Sequence, residues 1–118
     1  MRLGPLLGFE QSFDTVVTVA REMEAVGAGS VMLAEAGRSA VTQAAAVIAA
    51  TESIEVGTYV VNAFARSPWL TGLTARDLDE MSDGRFVMGS ALEILTSTTG
   101  TWESIQRNRW QQCTTLCK

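Results

Sequence analysis

IEVGTYVVNAFARSP, residues 54–68, and LDEMSDGRFVMG, residues 78–89, decide how this chain is read. Ile54–Val61 is β-branched and aromatic, the composition of a strand. Gly57 interrupts it, and a glycine inside a strand marks a bulge or a close backbone approach. Asn62–Ser67 then forms a polar loop, and Pro68 fits the first turn of a helix reaching about Met81. Gly84 breaks that helix, and Arg85–Gly89 is again strand-like. A strand followed by a loop, a helix and another strand, with a connection too long for a hairpin, is a parallel βα unit.

Working outward, the same alternation runs back to the N-terminus. Leu6–Phe9 is a short apolar run suited to a buried strand, with Ser12 or Asp14 as the cap of the next helix. From Asp14 to Val26 the apolar positions Val16, Val17, Ala20, Met23 and Val26 recur at helical spacing. Gly27–Gly29 ends the helix, and Val31–Ala34 follows as a parallel strand covered by helices. Ser39 opens the alanine-rich run Ala40–Ala50, whose small side chains allow close packing on a sheet. Strands are therefore expected near 5–9, 31–35, 54–60 and 85–89.

The fold class that follows is α/β, an incomplete (β/α)8 TIM barrel containing its first three βα units plus strand 4. A full barrel takes about 250 residues, and this chain has 118. Residues 1–89 form the barrel part and residues 90–118 an atypical tail. Both cysteines and two of the three tryptophans fall in that tail, which sustains no helical or strand period. The tail is not expected to continue the barrel, and residues 96–118 are expected to pack poorly or to form a loosely attached helix.

Composition narrows the function classes. The formal net charge is -4 and no basic stripe runs along a helix, which argues against nucleic acid and anionic membranes as partners. The opening MRLGPLLGFEQSFD is broken by Pro5 and followed by acids, unlike a signal peptide. No 18-residue apolar span suits a membrane helix, so the default location is cytoplasmic. Cys113 and Cys117 lack companion ligands, so no metal site is expected. With no histidine in the chain, triad hydrolysis is excluded. Neither a GxGxxG nor a P-loop pattern is present. Four parallel strands leave two open edges and one poorly covered inner face, which makes self-association through the open barrel edges an expectation.

On a parallel barrel, chemistry collects at the C-terminal ends of the strands. Phe9 and Glu10, Glu35 and Ala36, Tyr59–Asn62, and Gly89 with Ser90 occupy those positions. Glu35 reads as a carboxylate base or hydrogen-bond acceptor, or else as a salt-bridge or helix-cap partner near Gly37–Ser39. Asn62 offers an amide donor and a carbonyl acceptor to a ring edge, or else satisfies its own turn. Arg66 pairs with an anion or is an ordinary surface arginine. On periodicity alone, Thr58 and Tyr59 are packing residues.

Taken together, these segments resemble the luciferase-like flavin- or F420-dependent oxidoreductases. LDEMSDGRFVMG is similar to the LDELSGGRFxLG signature of that family, with Asp83 at a common glycine. VMLAE resembles a second strand ending in an acid-histidine pair, with Glu35 as the acid and Ala36 at the histidine. ARSP resembles an Arg-His-Pro run, with Ser67 at the histidine. The segment IEVGTYVVNAF is similar to a third strand whose bulge, commonly with a non-prolyl cis peptide, supports the cofactor ring. By position the cis bond is Tyr59-Val60.

The resemblance implies F420 as cofactor, with FMN as the alternative, and hydride transfer between the deazaflavin and a small organic substrate. It implies Tyr59, Val60, Asn62 and Arg66 as cofactor-binding residues and Glu35 as the catalytic one. The side chain of Asn62 is expected to face the space above the strand ends. An FMN-dependent monooxygenase and a non-catalytic truncated remnant are the competing accounts. The two replaced histidines and the missing later segments argue against turnover by this chain alone.

Overall fold

The computed structural model describes residues 4–91, and the expectations for residues 96–118 lie outside them. Four strands, β1 (Leu6–Leu7), β2 (Ser30–Leu33), β3 (Glu55–Asn62) and β4 (Phe86–Ala91), alternate with helices α1 (Phe13–Ala25), α2 (Ala40–Ala50) and α3 (Pro68–Met81). The sheet order is β1-β2-β3-β4 and every neighbouring pair is parallel. Sequential strands lie side by side, as repeated βα units of one hand require.

Register sorts the side chains onto two faces, because successive residues of a strand point to opposite sides. Leu7, Leu33, Thr58 and Met88 share one row, and Val31, Val56 and Phe86 share another on the same face. These rows meet Val16, Ala20, Ala44, Val47 and Ile48 of the helices to form the core. The intervening row, Leu6, Met32, Gly57 and Val87, faces the other way. Leu6 and Val87 there are 42% and 47% exposed.

Three serine caps open the helices: the hydroxyls of Ser12, Ser39 and Ser67 accept from the backbone N–H of Thr15, Thr42 and Leu70. Ser67 caps the helix whose first residue is Pro68, and its hydroxyl satisfies the Leu70 N–H, one of the first-turn donors that have no partner within the helix. At the end of α1, Ala28 N donates to Met23 O and Gly27 N to Glu24 O, with Gly27 at φ +81. This is the Schellman arrangement that glycine favours. The end of α3 repeats it with a difference. Gly84 N donates to Asp79 O and Asp83 N to Glu80 O, which puts Asp83 itself in the left-handed region at φ 53.

Two long-range clamps secure the N-terminal ends of the strands. Glu24 Oε1 accepts from the N–H groups of Glu52, Ser53 and Ile54 and from the Ser53 hydroxyl. The Ser53 N–H does most to lower its pKa from 4.5 to about 2; burial opposes the fall, and the remaining donors add to it. Arg85 spans the other side. Its Nη1 donates to Ile54 O at 2.8 Å and to Thr51 Oγ1, its Nη2 to Thr51 O and Ile48 O, and its Nε to Ser82 O. The guanidinium thereby satisfies carbonyls left open at the end of α2 and ties that helix to β4.

Strand limits differ from expectation at both ends of the sheet. β1 stops at Leu7 because Gly8 turns to φ +110, outside strand geometry. β4 continues past Gly89, since Ser90 and Ala91 pair with Val61 and Asn62 after a shift in register.

Candidate functional site

That shift is the main irregularity of the sheet, and it sits where β3 approaches its C-terminal end. Thr58 pairs with Met88 and Val61 with Ser90, so Tyr59 and Val60 together stand opposite Gly89. Two residues against one is a β-bulge, which bends the strand and redirects its side chains. The peptide bond between Tyr59 and Val60 is cis. Tyr59 is 64% exposed while Val61 is buried at 1%, so the chain re-enters the core immediately after the bulge. The departure from regular strand geometry expected over Gly57–Asn62 is therefore present.

Gly89 makes the close approach of β4 to the bulge feasible. A Cβ there would collide with the carbonyl of Thr58 and would lie 3.6 Å from Val60 Cγ1. The Thr58 hydroxyl uses the space: Gly89 N donates to it at 3.0 Å, and it donates to Gly89 O at 3.0 Å. Gly57 serves the strand in another way, leaving room for the Met32 side chain on the inner face.

The structure brings Glu35 and Asn62 together through the backbone. Glu35 Oε2 accepts from Asn62 N at 2.9 Å, across the end of β2. The contact is neither the salt bridge nor the helix-cap contact near Gly37–Ser39 that the sequence left open. Asn62 accepts from Phe64 N at 2.9 Å through its own Oδ1, so its side-chain oxygen serves the turn, the alternative that the sequence left open. Arg66 is half-buried in the loop that follows, and among the described residues no hydrogen bond or ion pair joins it to Glu35 or Asn62. Ala36 is half-buried beside Glu35, and Ser67 is occupied as the cap of α3.

Thr58 is the residue that sequence reasoning assigned to packing and the structure gives a polar task. The signal is a β-branched hydroxyl one step in register from a glycine of the following strand. Its reading requires the register, which the sequence does not state. Chemically, the strand ends offer an exposed aromatic, a backbone ledge, one amide donor and one half-buried carboxylate.

A parallel βα sheet whose strands lie in chain order, with a bulge where β3 nears its C-terminal end, has the pattern of part of a TIM barrel. The chain belongs to the luciferase-like monooxygenase family, whose sequence profile matches residues 1–91. No curated protein matches the sequence significantly. Among solved structures, the coenzyme F420-dependent tetrahydromethanopterin reductase from Methanopyrus kandleri is similar with a TM-score of 0.77 at 18% identity. The match covers 89% of this chain and 30% of that one. The oxygenating constituent of 3,6-diketocamphane monooxygenase from Pseudomonas putida, in complex with FMN, gives 0.72 at 16% identity, covering 84% and 31%. A monooxygenase from Streptomyces bottropensis gives 0.77 at 22% identity, covering 87% and 36%. The chain thus spans about a third of the length of the structures it resembles. No helix among the described residues is long and apolar enough to cross a membrane.

Proposed function

We propose that this chain is the ring-holding part of a luciferase-like oxidoreductase that uses F420, with FMN as the second choice. The observation that carries the reading is the bulge of β3 near its C-terminal end, which includes the exposed Tyr59. Tyr59 and Val60 support the ring, Asn62 Nδ2 meets its polar edge, Glu35 lies beside it, and Arg66 contributes charge. When bound, the cofactor supplies the hydride or the reaction with oxygen, and the protein supplies position and shelter from water. A hydride passing between F420 and a small organic substrate is the reaction proposed, in a cytoplasmic setting. The preference over FMN rests on the GTYVVN and ARSP runs.

Titration of the 118-residue protein with F420 and with FMN, followed by absorbance and fluorescence, tests this. Saturable F420 binding, weakened about fivefold by Asn62→Ala, is expected, since one directional hydrogen bond contributes about 1 kcal/mol. FMN binding without F420 binding reverses the choice of cofactor. Binding unaffected by Asn62→Ala removes that residue from the site.

A second reading is favoured by the inner face of the sheet, where Leu6 and Val87 remain 42% and 47% exposed. In this account the chain is non-catalytic and covers that face and its open edges by self-association. Size-exclusion mass measurement separates the two, because a well-protected monomer by hydrogen exchange rules the second out.

A further inference from the structure

Bulges loosen a sheet, because the extra residue has no partner and the ladder around it loses bonds. The bulge of β3 is instead held at both of its ends. Before it, the Thr58 side chain takes the Gly89 N–H and returns a hydrogen bond to the Gly89 carbonyl, each at 3.0 Å. One hydroxyl thus satisfies both backbone groups of the β4 residue that faces the bulge. Thr58 is 2% exposed, so water does not compete readily for these bonds.

After the bulge, the neighbouring strand has already run out. Leu33 with Thr58 is the last pair between β2 and β3, so the Asn62 N–H has no strand carbonyl on that side. The Glu35 carboxylate takes its place at 2.9 Å. On the far side, Ala63 N donates to Ala91 O, which keeps the emerging loop on β4. Tyr59, Val60 and Val61 are therefore stretched between two fixed points, one supplied by a side chain of β3 itself and the other by a side chain of the loop that follows β2.

We infer that Glu35 and Thr58 are positioning residues, which hold the Tyr59–Asn62 ledge in one shape for a planar ring. This rests on the reading of the ledge given under Proposed function. Glu35 acts through the backbone of Asn62, so an acceptor oxygen at its position is the requirement and the negative charge is not. Thr58 acts through Gly89, so its hydroxyl is the requirement and its methyl is not.

The conservative variants separate these roles from catalysis and from bulk. The amide oxygen of Glu35→Gln accepts the same hydrogen bond, whereas Glu35→Ala removes the acceptor. Thr58→Ser keeps the hydroxyl, whereas Thr58→Val keeps the volume and loses it. Two readouts are taken on the full chain: amide hydrogen exchange at Asn62 and Gly89 by NMR, and FMN and F420 affinity by fluorescence titration. Glu35→Ala is expected to speed exchange at Asn62, and Thr58→Val at Gly89, by about tenfold. Both should weaken cofactor binding several-fold, while Glu35→Gln and Thr58→Ser stay within about twofold of the unsubstituted protein.

Exchange at the unsubstituted rate in Glu35→Ala and Thr58→Val overturns the inference, whatever the affinities. A Glu35→Gln variant as damaged in cofactor binding as Glu35→Ala overturns the positioning role of Glu35 in favour of its charge. Uptake of neither FMN nor F420 by the unsubstituted chain overturns the proposed function and the ring-holding role together, and exchange then reports the two fixed points alone. The fixed points are read at separate amides, so loss of folding in one variant leaves the other decisive.

Discussion

Replacing Glu24 by glutamine should remove a pH-dependent part of the stability of this fold. In the folded chain Glu24 Oε1 receives three backbone N–H groups and one hydroxyl, and its pKa falls from 4.5 to about 2. Taken at about 1.4 kcal/mol per pKa unit, that fall corresponds to about 3 kcal/mol. The carboxylate is partly open to solvent, and screening reduces the figure to about 1–2 kcal/mol. Because the folded pKa is depressed, this stabilisation is fully present above 4.5 and is lost as pH falls through the interval down to about 2. The assay is urea unfolding of both proteins at pH values from 2 to 7. At neutral pH the glutamine variant should unfold at a midpoint about 1 M lower, given slopes typical of small domains. The two midpoints should converge as the pH approaches 2. A difference between the proteins that stays constant across the whole range would refute the reasoning, since it would assign the effect to shape and not to charge.

Arg85→Ala should cost about 2–4 kcal/mol in urea unfolding, because the carbonyls of Thr51 and Ile54 lose their donor. Arg85→Lys should recover less than half of that, as an ammonium cannot span the same fork of acceptors. Asp83→Gly should raise the melting temperature, by up to about 1 kcal/mol of stability, since Asp83 stands at φ 53 where glycine is free of a Cβ penalty. A Gly89→Ala chain should be destabilised by about 1–3 kcal/mol in the same unfolding assay, because the added methyl meets the Thr58 carbonyl.

The parts of this architecture written in local pattern were legible in the sequence. Helical spacing in Asp14–Val26, the alanine run from Ala40 and the proline at position 68 place α1, α2 and α3 within a residue of their observed limits. The bulge was legible through the resemblance of IEVGTYVVNAF to a family strand, with the Tyr59-Val60 cis bond where it was expected. What was not legible depends on partners far apart in the chain. Glu24 reads as one more charge on the exposed face of a helix until the α2–β3 turn is folded against it. Arg85 reads as part of a motif, and only the packed ends of α2 and β3 reveal its acceptors. Glu35 was expected to act locally or on a ligand, yet its partner is a backbone amide on the next strand. Asp83 was hidden by its neighbour: Gly84 looked sufficient to end α3, but the hydrogen-bond pattern assigns the left-handed position to Asp83 first.

Glu24 and Arg85 both grip the sheet at one end, and the bulge of β3 lies at the other. Distance along the strands separates what keeps the chain folded from what would meet a ring. Substitutions among Tyr59, Val60 and Asn62 can therefore accumulate over evolutionary time without loosening the frame beneath them, since no contact of either clamp passes through those residues. A lineage carrying this sheet is free to explore different cofactor edges and different substrates on an inherited scaffold.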